Sequence, residues 1–262
     1  MRKRAVIGGM DVPELIAPPL PDPATTALFL DFDGTLVELA ARPEAVVVEE
    51  ALLALIDRLA AAMPGRVAIV SGRSVAQLDG FLGARGPLLA IAASHGAELR
   101  TPANGHTLPR RSPALEAAAA ELQAFATLND IVFEAKSLGA ALHYRARPEL
   151  EAVATAMAAQ VAATHGLTFQ PGKMMAEVRL PGDKGAGLRA LFADEAMAGA
   201  TPWFFGDDVT DEDGFAAAAA LGGAGVLIGP ARATQARYRL DGVTALRDWL
   251  AALLEQARRP RT

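Results

Sequence analysis

Ala27-Leu28-Phe29-Leu30-Asp31-Phe32-Asp33-Gly34-Thr35-Leu36 is the stretch on which the fold turns. The apolar run Ala27–Leu30 fits a buried parallel strand and stops abruptly at Asp31. Working outward, Pro43–Met63 carries a helical pattern through Leu52, Leu53, Leu55, Ile56 and Leu59, and Val67–Val70 is a second strand ending at Ser71. Ser74–Leu82 follows as a short helix with Ser74 as its candidate cap, and Leu88–Ala92 as a third strand. This β-α-β-α-β alternation predicts a Rossmann-like α/β core, a parallel sheet with helices on both faces. Ligands of such a sheet bind outside the carboxyl ends of its strands, which would place the carboxylates of Asp31 and Asp33 in a site. The alternative is that they only cap the next helix. Two Asp one residue apart, followed by Gly34-Thr35, are less ordinary than the lone Asp that this alternative usually explains.

From Thr101 the texture changes: Thr-Pro-Ala-Asn-Gly is turn chemistry, and the strand–helix alternation stops. Ser112–Thr127 is an Ala-rich helix, Ile131–Lys136 and Ala141–Arg145 are strands close enough to pair, and Pro148–Thr164 is a second helix. Leu167–Gln170 and Lys173–Leu180 form a further strand pair around Pro171-Gly172. The order predicts an α+β lobe, an antiparallel sheet with both helices on one face. Period-two alternation agrees: Lys173, Met175, Glu177 and Arg179 lie on a largely polar face, against Met174, Ala176, Val178 and Leu180. His143 with Arg145, and Glu134 with Lys136, also share faces. After Pro181-Gly182 the α/β pattern returns, with helices at Lys184–Ala193, Asp211–Leu221 and Val243–Ala257 and strands at Trp203–Phe205 and Gly225–Ile228. The expected division is therefore a Pro-rich arm over 1–24, laid on a domain or left loose, a discontinuous core over 25–102 and 182–262, and an inserted lobe over 103–181.

Composition narrows the class. The chain has 262 residues, of which 52% are hydrophobic but only 5% aromatic, and much of the apolar share is Ala. No apolar run reaches the ~18 residues of a membrane-spanning helix, and the N-terminus makes a poor signal peptide. The absence of cysteine excludes disulfides and thiolate chemistry and suits a cytoplasmic protein. A net charge of −5 argues against a nucleic-acid partner.

Two further features carry chemistry. Asp207-Asp208-Val209-Thr210-Asp211-Glu212-Asp213 packs five carboxylates into seven residues after an apolar strand. These would repel one another unless a cation sat among them, and hard oxygen donors select Mg²⁺ or Ca²⁺. An exposed acidic helix start is the alternative for Asp211–Asp213. Ser71-Gly72-Arg73 offers a hydroxyl and backbone N–H groups to phosphate oxygens, although a turn with a capping Ser would look the same. Lys184, alone, would pass for a solvated lysine.

In this order the motifs DFDGTL (31–36), SGR (71–73), Lys184-Gly185 and GDDVTD (206–211) resemble those of haloacid dehalogenase-like phosphohydrolases with a cap inserted between the second and third motifs. More narrowly, LDGFL (78–82), SHGAELR (94–100), EAK (134–136), HYR (143–145), PGKMMAEVRLPGDKG (171–185) and GDDVTDED (206–213) resemble the trehalose-6-phosphate phosphatase family. The resemblance spans residues 27 to about 229, with Gly214 where Ala is expected. It implies a phosphatase of trehalose biosynthesis in which Asp31 is the nucleophile, Asp33 the acid and base, and Ser71 and Lys184 the phosphate-binding groups. Gly34, Thr35, Gly72 and Arg73 would shape the phosphate loop. Mg²⁺ would be held by Asp31, Asp207 and the carbonyl of Asp33, with Asp208 and Asp211 in support. Glu134, Lys136, His143, Arg145, Lys173 and Glu177 would read the sugar, and His95 would line the site or brace its loop. His106 and His165 fall in turns and read as surface residues. The implied partner is a small sugar phosphate, with no nucleic acid or membrane; a monomer is expected, without excluding an oligomer. The alternatives are a phosphatase of another sugar phosphate, such as sucrose 6-phosphate, and a non-catalytic sugar-phosphate sensor or partner of a trehalose-phosphate synthase.

Overall fold

A computed structural model of the protein describes residues 4–7, 10–13, 15–40, 45–107, 112–172 and 174–257. In chain order the elements are β1 (Arg4–Ile7), β2 (Met10–Pro13), β3 (Thr26–Leu30), α1 (Glu50–Ala62), β4 (Val67–Val70), α2 (Val75–Leu82), β5 (Ala90–Ala93), β6 (Glu98–Thr101) and β7 (Gly105–Thr107). Then come α3 (Pro113–Asn129), β8 (Val132–Lys136), β9 (Gly139–His143), α4 (Glu151–His165), β10 (Thr168–Gly172) and β11 (Met175–Arg179). The last are α5 (Lys184–Phe192), β12 (Thr201–Gly206), α6 (Glu212–Ala220), β13 (Ala224–Ile228), β14 (Tyr238–Leu240) and α7 (Val243–Ala257). The chain divides into two compact units, Met1–Thr107 with Asp183–Thr262, and Leu108–Gly182. No described helix is long and apolar enough to cross a membrane.

The first unit is built on a sheet of order β14-β13-β12-β3-β4-β5-β6-β7, parallel from β14 to β5, with β6 and β7 antiparallel at one edge. Its central strands are buried on both faces, as parallel strands under crossover helices must be. Leu28 and Leu30 of β3 and Ile69 of β4 join α1, α2 and α7 in one apolar cluster. Ala27, Phe29 and Val70 face α5 and α6 in another. From β3 the chain runs outward through β4 and β5, whereas β12 pairs on the other side of β3 and leads on to β13 and β14. Strand order reverses there, so the crevice at the carboxyl ends of β3 and β12 is where such a sheet receives a ligand.

The second unit is an antiparallel sheet of order β10-β11-β9-β8 with α3 and α4 on its apolar face. Ala140, Leu142, Ala176 and Val178 are buried against Ala118, Leu122, Ala158 and Val161 of the helices. The polar face keeps the other side of each strand, as the alternation predicts.

Several boundaries differ from the sequence reading. Helix α1 begins at Glu50 and not near Pro43, because Val46-Val47-Val48 is a β-branched run with restricted side-chain rotamers in a helix. The Thr101–Gly105 turn does not leave the core but folds β6 back into β7, and His106 therefore lies in a strand. Pro171-Gly172 belongs to β10, where an edge strand tolerates the missing N–H. The arm holds an antiparallel pair, β1 with β2, and its later part lies on the core: Trp249 Nε1 donates to Pro18 O at 3.1 Å and Gln256 Nε2 to Pro21 O at 3.0 Å.

Candidate active site

Asp31 follows β3 directly, and its N–H donates to Phe205 O on β12 at 2.9 Å, so the residue is fixed across the central strand pair. Asp207 follows β12 in the same way. Asp211 ends the short turn that leads into α6, and Lys184 is the first residue of α5, whose preceding Asp183 caps the helix by accepting from Ala186 N. The buried Lys184 ammonium donates to Asp31 Oδ1 and to Asp211 Oδ1, each at 2.7 Å. Oxygens of Asp31, Asp207 and Asp211 lie within 4.8 Å of one another. Thr35, fully buried, reaches Asp207 Oδ1 at 3.3 Å. Gly34 has φ +79°, and a Cβ there would lie 2.1 Å from Asp207 Oδ2, so only glycine lets the loop after β3 pass this carboxylate.

Electrostatics follow from the crowding. Burial, reinforced by Asp211 and Asp207 and opposed by Lys184, holds the Asp31 carboxyl well above the ordinary carboxylate range. Asp207 is pushed up to about 6 by burial first, then by the charge of Asp211. Burial works to lower Lys184, but the attraction of Asp31 and Asp211 outweighs it and keeps the ammonium charged. With all three carboxylates ionised, one ammonium would leave a formal deficit of two charges in a largely buried space, and it is burial together with that deficit that raises Asp31 and Asp207. An all-oxygen donor set with that deficit fits a hard divalent cation.

Asp33 lies beside the cluster, where Arg73 Nε and Nη2 engage its two oxygens, both at 2.6 Å. The guanidinium carbon of Arg73 sits 4.8 Å from the ring centre of Phe81 and 5.8 Å from that of Phe32, which holds the fork in one orientation. Ser71, buried after β4, accepts from Arg73 N at 3.2 Å, leaving its hydroxyl proton to donate elsewhere. Gly72 lies under the ring of His95: a Cβ there would be 2.7 Å from His95 Nε2. His95 and Ser94 adopt φ of +55° and +48°, a left-handed backbone that costs on the order of 1–3 kcal/mol at each non-glycine residue.

The structure thus places Asp31, Asp33, Thr35, Ser71, Arg73 and Asp207 just beyond the ends of the adjacent strands β3, β4 and β12, where Lys184 from the start of α5 and Asp211 from the turn before α6 join them. It does not bring Asp208 into the carboxylate cluster. That side chain is spent on Val209 N at 2.6 Å, while Asp208 N donates to Asp211 Oδ2. In the second unit, Lys136 Nζ donates to Glu177 Oε2 at 2.5 Å and Glu134 Oε2 meets His143 Nε2 at 2.7 Å, all on the polar sheet face. Arg145 is exposed beyond the end of β9, and Lys173 lies outside the described residues. Two residues near the site escaped the sequence. Arg232 donates to Asp208 O at 2.8 Å and pairs with Glu212, steadying the acidic turn from the loop after β13. Glu98 is a buried carboxylate behind Ser94; it lies within SHGAELR (94–100), but nothing in that stretch marked it for a role.

A doubly wound sheet with an aspartate after its central strand, a lysine on that aspartate, a second acidic cluster on the neighbouring strand and an inserted α+β unit is the arrangement that the resemblance to haloacid dehalogenase-like phosphohydrolases implies. A family model for trehalose-phosphatase matches residues 29–244. Trehalose-6-phosphate phosphatase of Escherichia coli (strain K12) is 38% identical over 232 residues, which is 87% of this chain and 86% of that protein. A probable trehalose-phosphate phosphatase of Sinorhizobium fredii is 37% identical, covering 87% of each. The solved structure of Aspergillus fumigatus trehalose-6-phosphate phosphatase superposes with a TM-score of 0.67 at 26% identity, covering 92% of this chain and 99% of that one. The chain belongs to the trehalose-phosphatase family.

Proposed function

We propose that the protein hydrolyses trehalose 6-phosphate to trehalose and inorganic phosphate, in the cytoplasm. The observation that carries this reading is the Asp31–Lys184 pair inside a buried three-carboxylate cluster at the point where strand order reverses, in a chain of this family.

In the first step a carboxylate oxygen of Asp31 attacks phosphorus in line; an O–P bond forms, the sugar O–P bond breaks, and an aspartyl phosphate results. Asp33 delivers a proton to the departing sugar oxygen, and to do so it must exchange its bonds with Arg73 for that oxygen. In the second step water attacks the acyl phosphate, Asp33 takes its proton, phosphate leaves and Asp31 is restored. Lys184 neutralises charge on the transferring group and keeps Asp31 oriented, while the Ser71 hydroxyl donates to a phosphoryl oxygen. Gly34, Thr35 and Gly72 hold the loops that frame it. Mg²⁺, held by Asp31, Asp207 and the carbonyl of Asp33 with Asp211 and the Asp208 turn in support, would supply the positive charge that lets a carboxylate meet a phosphate dianion. On the second unit, Glu134, Lys136, His143, Arg145, Lys173 and Glu177 recognise sugar hydroxyls.

Phosphate release from trehalose 6-phosphate, sucrose 6-phosphate and glucose 6-phosphate, with and without Mg²⁺, tests the proposal. Trehalose 6-phosphate should be the preferred substrate, release should need Mg²⁺, and Asp31→Asn should lower it by ~10³-fold or more. Turnover near wild type in Asp31→Asn would overturn the nucleophile, and sustained release would dismiss a purely regulatory protein.

A further inference from the structure

We propose that Glu98, which touches none of the reacting groups, is a positioning residue: it locks the left-handed turn Ser94–Gly96, and that turn sets the spacing between Ser71 and Lys184. Glu98 is 2% exposed, so its carboxylate needs partners inside the protein. Ser94 Oγ donates to Glu98 Oε1 at 2.6 Å, and Val75 N, at the start of α2, donates to Oε2 at 3.3 Å. His106 Nε2 on β7 lies 3.4 Å from Oε2. One buried carboxylate therefore ties the turn to the helix that follows the Ser71 loop and to the edge of the sheet.

The turn itself is wedged between the two phosphate-binding segments. On one side Ser94 N donates to Arg73 O at 2.7 Å and His95 N to Ser71 O at 3.0 Å, and the His95 ring covers Gly72. On the other side Gly96, with φ +87°, is pressed so closely on α5 that a Cβ would lie 2.6 Å from Asp183 O and 2.9 Å from Gly187 N. Any shift of the turn thus moves the Ser71 loop relative to the first residue of α5, Lys184. Three consecutive left-handed residues, two of them not glycine, persist only where surrounding bonds over-determine them. The Ser94–Glu98 bond is a side-chain lock among those bonds.

The inference rests on the reading that Ser71 and Lys184 hold the phosphoryl group, and its test keeps the two apart. For the full chain with Mg²⁺, inhibition by inorganic phosphate, kcat on trehalose 6-phosphate and on an aryl phosphate, and thermal midpoint are measured for wild type, Ser94→Gly, Glu98→Gln and Glu98→Ala. Ser94→Gly removes the lock yet relieves a left-handed residue, so phosphate affinity and both kcat values should fall about tenfold while the midpoint moves by only a few degrees. Both substrates should suffer alike, because the leaving group is not involved. Glu98→Gln keeps one acceptor oxygen and should lose less than Glu98→Ala; if Glu98→Ala does not fold, the other two variants decide. Wild-type phosphate affinity and kcat in Ser94→Gly and Glu98→Gln, or losses that merely track the thermal midpoint, would overturn the brace. Failure of wild type to bind or release phosphate would overturn the phosphatase reading beneath it.

Discussion

Gly214, the third residue of α6, stands where the motif resemblance led to the expectation of Ala, and its surroundings give a packing reason for glycine. A Cβ there would lie 2.5 Å from Phe204 Cζ, and that ring is buried and packed edge-on against Phe215, with centroids 5.7 Å apart at 80°. The aromatic ring occupies the space that alanine would need. Gly214→Ala should therefore cost about 1–3 kcal/mol by overpacking, despite the ~1 kcal/mol that alanine gains in a helix. Urea denaturation reads this directly, and a more stable variant would show that the ring moves aside freely. At the same scale, Asp31 and Asp207 were legible because each ends an apolar run that a strand must bury. The engagement of Asp33 by Arg73 was not legible, because it joins residues 40 apart whose meeting depends on two neighbouring strand ends. The burial of Glu98 was hidden for a similar reason: it follows from the antiparallel strand β6, held between β5 and β7, which the alternation did not announce.

At the scale of elements, the polar row of the second unit's sheet carries the substrate proposal. Glu134 and Glu177 both sit opposite Ala141, one on each neighbouring strand, and Lys136 reaches across to Glu177. Such an array of charged donors and acceptors suits vicinal hydroxyl pairs, and a site built for hydroxyls loses much when one partner is removed. Glu177→Ala should lower turnover of trehalose 6-phosphate ~10–100-fold while leaving a small aryl phosphate within about threefold; equal losses on both would argue against a sugar-reading face. Elements with an apolar run or a clean period were read well, β4 and α7 to the residue. The strands β6, β7 and β14 were missed because they are short, and Glu98-Leu99-Arg100, Gly105-His106-Thr107 and Tyr238-Arg239-Leu240 carry too few apolar residues to stand out. The β1–β2 pair was missed because the proline count outweighed Gly8-Gly9, itself a two-residue hairpin signal.

At the scale of the whole molecule, the carboxylate cluster makes stability depend on pH and metal together. Asp207 binds its proton with a pKa of about 6, above the ordinary 3.8, so between those values the folded chain holds more protons than the unfolded one. Stability of the metal-free protein from this group therefore falls as pH rises through that window, and the deficit is fully present above it. Asp31 shifts in the same direction. A divalent cation that binds the ionised cluster reverses the deficit by mass action. Mg²⁺ should accordingly raise the thermal midpoint more at pH 7.5 than at pH 5, with a chelator as control. Equal shifts at both pH values would dissociate the cation from these carboxylates.

The pairing of β3 with β12 joins Thr26 to Thr201, positions about 175 residues apart in the chain. On a ribosome adding ~5–20 residues each second, the strand that carries Asp31 waits on the order of ten seconds or more for its neighbour to be made. The second unit, whose sheet pairs only residues between 132 and 179, can form within that interval. The nascent chain is then left with a hydrophobic strand whose long-term partner is missing, and catalytic competence arrives last, when Asp207 and Asp211 emerge.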